Sequence, residues 1–166
     1  MVDQIKREVA NLKNLEEFKE YKNKYPNSYL CAGFMIMESN DGSKWQLDYY
    51  CPDNDHITTF CLKDKVEVKE SKAVHRDKKK IRELNLENVD IGLNEALEIT
   101  SSLRDKNYPG EKANKIIVIL QNIEKKEIWN VTYLTASFKV LNTNIDAQTG
   151  GIMKEKLENV LNFKLQ

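Results

Sequence analysis

The segment Trp129-Asn130-Val131-Thr132-Tyr133 repeats a pattern found 84 positions earlier, in Trp45-Gln46-Leu47-Asp48-Tyr49. In both segments apolar residues alternate with polar ones, which is the period of a strand with one buried face. A Tyr-Pro pair precedes each segment, at Tyr25-Pro26 and at Tyr108-Pro109, 83 positions apart. Because the two matches share nearly one register, we infer that the chain of 166 residues is an internal duplication.

Each half predicts helical sequence followed by an antiparallel meander. In the second half, Asp90 can cap a helix over 91–106. In the first half we expect helical pieces at 3–13 and 15–24, and Asn14 with Glu17 has the spacing of a capping box. Apolar stretches and alternating patterns place the strands at 29–38, 45–49, 57–62, 65–69, 115–121, 129–133 and 137–141, the last with Phe138 and Val140 on one face.

The tail after Gly150-Gly151 predicts a short C-terminal helix over 154–163, with Leu157, Val160 and Leu161 facing inward. The expected fold is α+β: two pseudo-repeats, each a helix packed on an antiparallel β-sheet meander, and this short helix. The pattern divides the chain into an N-terminal repeat at 1–71, a basic connector at 72–88 and a C-terminal repeat at 89–166. The sequence leaves open whether the two sheets join or stack as separate domains.

Three features follow one another in the second half. Val89-Asp90-Ile91-Gly92-Leu93-Asn94-Glu95-Ala96-Leu97 opens a helix, Tyr108-Pro109-Gly110 ends it, and Asn144-Ile145-Asp146-Ala147-Gln148-Thr149-Gly150 follows the last long strand. With the strand pair around Trp129, they make residues 89–154 resemble the PepSY domain. Residues 1–71 look like a diverged second copy, because Lys63-Asp64-Lys65-Val66 stands where the Asp-Ala-x-Thr-Gly turn would be.

The resemblance to PepSY implies a small α+β domain, with one helix across an antiparallel sheet as in cystatin-type folds. Members of that family look like non-catalytic modules of protease propeptides and cell-envelope proteins, for which peptidase inhibition has been suggested. The turn residues would be structural, because Asp146 and Thr149 can hydrogen-bond backbone N–H groups and Gly150 can adopt a positive φ.

Charge is balanced over the whole chain but not along it. Lys and Arg number 26, as do Asp and Glu, so the net charge of zero argues against a general nucleic-acid binder. The run at 72–82 holds six basic residues against one acidic, which fits either a solvated connector or a landing site for phosphate or an acidic protein. The candidate partner-binding residues are Lys72, Arg76, Lys78, Lys79, Lys80 and Arg82.

The sequence offers little catalytic chemistry. It contains neither of the glycine-rich phosphate motifs. Cys51, His56 and Cys61 lack zinc-site spacing, and the Asp53-Asn54-Asp55 loop lacks the glycine and distal glutamate of an EF-hand. We therefore expect no metal and no other cofactor.

Two alternatives for chemistry or nucleic-acid binding depend on few residues. A Cys–His nucleophile pair would need His56 or His75, and neither has an orienting partner nearby in the sequence. Trp45, Trp129, Tyr49 and Tyr133 could stack on the bases of a single-stranded nucleic acid, but their alternate positions on strands are more typical of core residues. The expected protein is therefore not an enzyme.

The sequence also bears on the compartment. The longest apolar stretch, 116–120, is far shorter than the ~18–20 residues that span a bilayer. The first residues lack the uninterrupted apolar core of a signal peptide, so we expect a cytoplasmic protein. In a reducing compartment, Cys31, Cys51 and Cys61 are expected to be small core residues.

These observations favour a non-enzymatic protein- or peptide-binding module, with peptidase inhibition as the role that the PepSY resemblance implies. A sheet face or an open edge would hold the partner, and an edge could also pair two copies as a homodimer. The alternative is binding of nucleic acid or an acidic partner through the connector at 72–82. The two hypotheses differ in salt dependence, because only binding to phosphate should weaken steeply as salt rises.

Overall fold

Eight antiparallel strands form a single sheet. A computed structural model describes residues 3–38, 42–75 and 79–162. The strands are β1 (Tyr29–Glu38), β2 (Gln46–Cys51), β3 (His56–Cys61), β4 (Glu67–Lys72), β5 (Ala113–Ile123), β6 (Lys126–Thr135), β7 (Lys139–Asp146) and β8 (Ile152–Asn159). Their order is β4-β3-β2-β1-β5-β6-β7-β8. Because β1 pairs antiparallel with β5, the meanders of the two halves join in one continuous sheet.

Among the described residues, three α-helices accompany the sheet: α1 (Gln4–Lys13), α2 (Glu16–Lys24) and α3 (Leu93–Asn107). Single 3-10 turns also occur at Leu86–Asn88 and Val160–Asn162. The predicted α+β class is confirmed, and so are the two helical pieces near the N-terminus. The predicted capping box is wrong, because Asn14 ends α1 and Leu15 is the residue before α2.

All three helices pack against the same face of the sheet. Their buried side chains form one core cluster with alternate residues of the inner strands. The helical members are Ile5, Val9 and Leu12 of α1, Phe18 and Tyr21 of α2, and Leu93 and Ala96 of α3. This arrangement follows from the period of the strands, since only every second side chain points to the helix layer.

Helix α3 begins later than its sequence predicts. The N–H groups of Asp90 and Ile91 both donate to the carbonyl oxygen of Ala147, over 2.9 and 2.8 Å. This pairing holds the chain out of helical conformation until Gly92, which precedes the first residue of α3 with an extended backbone. The predicted cap at Asp90 is therefore wrong, because a turn 57 residues away fixes this segment.

The predicted C-terminal helix over 154–163 is also wrong. Strand β8 occupies most of this stretch and pairs with β7. The spacing of Leu157, Val160 and Leu161 suits a helix, but only Leu157 packs against the core. Val160 and Leu161 are 44% and 97% exposed. Pairing of β8 with β7 satisfies the backbone N–H and C=O groups along the outer edge of β7, which a short helix would leave without partners. The end of the prediction, Phe163, lies outside the described residues.

Phe138 does not share a face with Val140 as predicted. It lies in the turn before β7, with a φ of 60° and an exposed fraction of 79%. Val140, two residues later, is fully buried. Alternation fails here because the strand begins only at Lys139.

The Asp-Ala-x-Thr-Gly turn has the backbone hydrogen bonds that were predicted for it. Asp146 Oδ1 accepts from the N–H groups of Gln148 and Thr149, over 2.8 and 3.2 Å. Gly150 has a φ of +79°. These hydrogen bonds to backbone N–H groups lower the pKa of the Asp146 carboxyl group.

Candidate binding surfaces

The segment between the two meanders is held to the sheet at several points. Leu84 N–H donates to the Leu30 carbonyl over 2.8 Å, and the Tyr29 hydroxyl group donates to the Ile81 carbonyl. The buried carboxylate of Glu127 accepts from Asn85 N–H over 3.1 Å and from the amide of Asn88 over 3.3 Å. Its part at 79–88 is therefore packed structure rather than a free linker.

The candidate basic residues do not share one environment. Lys72 lies at the exposed end of the edge strand β4, and Lys79 pairs with Glu124 over 3.6 Å. Lys80 and Arg82 line a cleft of about 660 Å³ between the connector and the β5–β6 turn. Arg76 and Lys78 lie outside the described residues.

The cleft beside Lys80 and Arg82 has mixed charge. Lys125 adds a third cation, whereas Glu83, Glu87 and Glu127 also line the cleft. A phosphate-binding surface would need an excess of cations. The cleft therefore suits a polar ligand of balanced charge better than a nucleic-acid backbone.

Within the connector, His75 forms a polar network that the sequence did not reveal. His75 Nε2 lies 2.7 Å from Asp55 Oδ1, and His75 Nδ1 lies 3.4 Å from the Lys79 carbonyl oxygen. The Tyr50 hydroxyl group donates to the same Asp55 oxygen over 2.7 Å. Hydrogen bonding to Asp55 raises the pKa of His75 and raises that of Tyr50 to about 12, and the bond to His75 lowers the pKa of Asp55.

This network ties His75 of the connector to the β2–β3 turn. Both ring nitrogens of His75 face acceptor oxygens, so the doubly protonated imidazolium fits the arrangement best. A base needs one nitrogen with a free lone pair. No sequence signal pointed to the pair, since His75 and Asp55 are 20 residues apart and meet only because β4 returns the chain to the β2–β3 turn.

The candidate metal ligands are separated by the register of the β2–β3 hairpin. Cys51 stands opposite His56, whereas Cys61 stands opposite Gln46 at the other end of the pair. Within residues 3–38, 42–75 and 79–162, no group of three His, Cys, Asp or Glu side chains is placed to hold a metal ion. All three cysteines are buried free thiols, and burial raises the pKa of Cys31.

The two tryptophans belong to the core, as their strand positions predicted. Trp45 is 2% exposed and Trp129 is fully buried, so neither offers a ring to a nucleic-acid base. Trp129 Nε1 donates to the Ile91 carbonyl over 2.7 Å.

The face of the sheet opposite the helices is a further candidate surface, called here the helix-free face. Its centre consists of two rows across β1, β5, β6 and β7, which the strand register aligns. The rows are Phe34, Ile119, Asn130 and Asn144, and beside them Ile36, Ile117, Thr132 and Asn142. None of these side chains belongs to the core cluster beneath the helices.

Each row has an apolar half and a polar half. Ile36 is 37% exposed, and Phe34, Ile117 and Ile119 are half-buried. In the polar half, Asn142 Nδ2 donates to Asn130 Oδ1 over 2.9 Å, and Asn130 Nδ2 donates to Asn144 Oδ1 over 2.9 Å. Aliphatic side chains beside an ordered amide network give a surface with both apolar area and oriented hydrogen-bonding groups.

The described part of the connector packs over one end of the helix-free face. There Ala73 and Ile81 pack with Tyr50, Ile57 and Cys31 in a small apolar cluster. Among the described residues, no helix packs over the rows at Phe34 and Ile36. The apolar half of the face, at Phe34, Ile36, Ile117 and Ile119, is therefore partly open to a partner, whereas Asn130 and Thr132 are buried.

Comparison with known proteins gives a fold likeness and no family. No protein-family profile matches the chain, and no curated protein matches it. The chain is similar to the crystal structure of a "putative lipoprotein" from Clostridium difficile 630, with a TM-score of 0.57 and 12% sequence identity. The likeness covers 86% of this chain and 91% of the other. At that identity it shows the shared α+β fold alone.

None of the described helices is long and apolar enough to cross a membrane.

Proposed function

We propose that this protein is a non-enzymatic protein- or peptide-binding module that holds its partner on the helix-free face. The observation that carries the proposal is the placement of all three helices on the other side of the sheet. Within the part of the chain that the structure describes, the apolar rows at Phe34 and Ile36 consequently have no helix layer over them. Exposed apolar area flanked by polar groups is typical of interaction surfaces.

The chemistry of the described residues supports a binding role over a catalytic one. His75 is occupied at both ring nitrogens. The thiols of Cys31, Cys51 and Cys61 are buried. A nucleophile needs an accessible side chain beside a base, and neither the histidine nor the thiols meet that requirement.

The PepSY resemblance of 89–154, with a diverged copy at 1–71, is part of this proposal. Each half contains helix followed by four antiparallel strands, which is the order that a duplication requires. The resemblance implies peptidases as one partner class. We also propose a cytoplasmic location. The name of the structural neighbour suggests an extracytoplasmic one. Fractionation of the source cells decides between the two.

The test compares partner capture by four forms of the purified protein at about 50 and 300 mM salt, a range over which phosphate contacts weaken strongly. The forms are wild type, Ile36→Lys with Ile117→Lys on the helix-free face, Val68→Lys as an exposed apolar control, and Lys79→Ala with Lys80→Ala and Arg82→Ala. Direct titration of each purified partner then measures the affinity.

We expect a partner that binds at both salt concentrations, is lost with the face variant and is kept by the other two variants. A partner lost at high salt and with the connector variant would overturn the face proposal and favour binding of nucleic acid or an acidic protein at 72–82. Sedimentation velocity on the same forms tests homodimers through the open edges of β4 or β8. Inhibition assays with serine, cysteine and metallopeptidases test the peptidase role.

A further inference from the structure

Strand β4 forms one edge of the sheet, and the direction of its main-chain groups follows from its pairing with β3. Among the described strands, β4 pairs with β3 alone. The Ala73 N–H group, one residue after β4, continues this pairing and donates to the Asp55 carbonyl over 2.9 Å. Because the direction alternates along an antiparallel strand, the N–H and C=O groups of Val68, Glu70 and Lys72 point outward, away from β3.

The side chains of these three residues belong to one exposed row. Val68 stands opposite Phe60, a core residue beneath the helices, so the row lies on the helix side of the sheet. Alternation extends the row to Val74, and Val68 and Val74 are 48% and 76% exposed. No ion pair among the described residues includes Glu70 or Lys72. We call Val68, Glu70, Lys72 and Val74 the edge row.

The edge row is complementary to itself when a second copy runs antiparallel to it. If the pair is centred on Ser71, Glu70 of each copy faces Lys72 of the other, and Val68 of each copy faces Val74. The outward N–H and C=O groups of these residues then meet in hydrogen-bonded pairs. Opposite charges or apolar side chains that face each other across two strands stabilise the pairing.

Other registers fit less well. A symmetric antiparallel pair is centred on one residue, because outward-facing groups have to meet outward-facing groups. Centring on Lys69, Glu70 or Lys72 places that charged side chain opposite its own copy, which is unfavourable. Centring on Val68 pairs β4 with residues 64–66, which precede the strand. Ser71 is therefore the centre that the charges favour.

The other edge strand, β8, is less suited to pairing with its own copy. Lys156 already forms an ion pair with Glu158 of the same strand. Leu157 between them packs against the core of its own chain. The charges of β8 are thus matched within one copy, whereas those of the edge row are not.

We propose that β4 pairs with β4 of a second copy of this chain, antiparallel and centred on Ser71, so that two eight-stranded sheets become one continuous sheet. The same strand serves both copies, so the interface closes on itself as a dimer. One added strand buries less than the ~1,200 Å² of a standard interface, so the dimer is weak and depends on concentration. It does not involve the rows at Phe34 and Ile36 and is independent of the proposed function.

Charge reversal tests the dimer and its register together, by sedimentation velocity from micromolar to millimolar protein. Glu70→Lys or Lys72→Glu alone places like charges opposite each other at both ion pairs, so each should weaken dimerisation about ten-fold or more. A mixture of these two single variants should dimerise as the wild type does, because every changed charge then faces an opposite one. The double variant Glu70→Lys with Lys72→Glu should also recover the dimer.

Two variants elsewhere on the sheet are the matched controls. Glu155→Lys reverses one exposed charge on β8, and Ile36→Lys with Ile117→Lys changes the helix-free face. Both should dimerise as the wild type does. Circular dichroism checks that every variant is folded, which we expect because all residues of β4 are exposed.

Hydrogen exchange provides a measurement without mutation. The N–H groups of Val68, Glu70 and Lys72 should exchange rapidly in dilute protein and slowly in concentrated protein. That of Ala73, which is bonded to Asp55, should be protected in both.

Four outcomes overturn the proposal. They are a monomer at every concentration, a dimer that Glu70→Lys leaves unchanged, a mixture of the single variants that associates no better than either alone, and loss of the dimer in Glu155→Lys or in the face variant. Loss of the dimer with capture of a partner by the face intact contradicts this inference and leaves the proposed function standing.

Discussion

The indole rings of Trp45 and Trp129 lie 6.2 Å apart, with planes inclined by 47°, although β1 and β5 lie between β6, which carries Trp129, and β2, which Trp45 directly precedes. The two rings meet above those central strands on the helix side of the sheet. Gly33 on β1 leaves the room, because a Cβ there would stand 2.5 Å from Ile5 Cδ1 and 3.3 Å from the Trp45 ring. One aromatic contact thus connects the two halves of the core.

The first prediction uses these tryptophans as a matched pair. Trp129→Phe removes the donor to the Ile91 carbonyl, whereas Trp45→Phe removes a donor that has no acceptor. Both changes shrink a buried ring by the same amount. Urea unfolding should therefore show that Trp129→Phe loses about 1–2 kcal/mol more stability than Trp45→Phe. Equal losses, or the reverse order, would contradict the assigned hydrogen bonds.

The second prediction concerns two glycines with positive φ. Gly110 has a φ of +90° and open space around its Cα, whereas Gly150 has a φ of +79° and lies against Ile91 and Ile99. Left-handed backbone costs a non-glycine residue about 1–2 kcal/mol. Gly110→Ala should lose about that much stability in denaturant unfolding. Gly150→Ala should lose no more than Gly110→Ala, because its methyl group would stand at ordinary van der Waals distance, 3.4 and 3.5 Å, from Ile91 and Ile99; a clearly larger loss there would refute the packing argument.

The third prediction follows from the contact between His75 and Asp55. Asp55 raises the pKa of His75, so this contact stabilises the fold fully below the unfolded value of about 6.5 and loses effect as pH rises through the raised pKa. The pKa of Asp55 is lowered from 3.8, so its contribution is present above that value and disappears as pH falls through the lowered pKa.

Thermal unfolding between pH 5 and 9, a window that spans the histidine titration, checks whether the contact loses its stabilising effect as pH rises. His75→Gln should flatten the decline in melting temperature that the wild type shows above about pH 6.5. His56→Gln is the matched control and should leave that decline in place. A wild type whose stability rises over the same range would show that the contact does not hold the imidazolium.

Much of the fold could be predicted because its strands repeat a simple alternation. In the segments that begin at Trp45 and Trp129, every second residue joins the core beneath the helices, and the turn at Asp146 has its own local hydrogen bonds. The errors occur where distant backbone decides the structure. The carbonyl of Ala147 delays the start of α3, and pairing with β7 makes a strand of the stretch expected to be helical.

The candidate surfaces were less accessible to sequence analysis. Alternation predicts that Phe34 and Met35 point to opposite faces, but it does not say which face the helices cover. The contact of His75 with Asp55 and the unpartnered Nε1 of Trp45 both depend on packing between separate elements. The similar alternation around Trp45 and Trp129 therefore gave no sign that the Trp129 indole donates to the Ile91 carbonyl.

The last prediction concerns the thiols of Cys31, Cys51 and Cys61, which are 7%, 2% and 3% exposed. Thiolates are the reactive form, and burial both blocks access and raises the pKa of Cys31. An aromatic disulfide reagent should therefore label none of the three cysteines in the native protein and all three after unfolding. Val74→Cys, at a position that is 76% exposed, should react at once and serves as the positive control. Rapid native labelling of Cys31, which packs beneath Ala73 of the connector, would mean that the connector opens from the sheet.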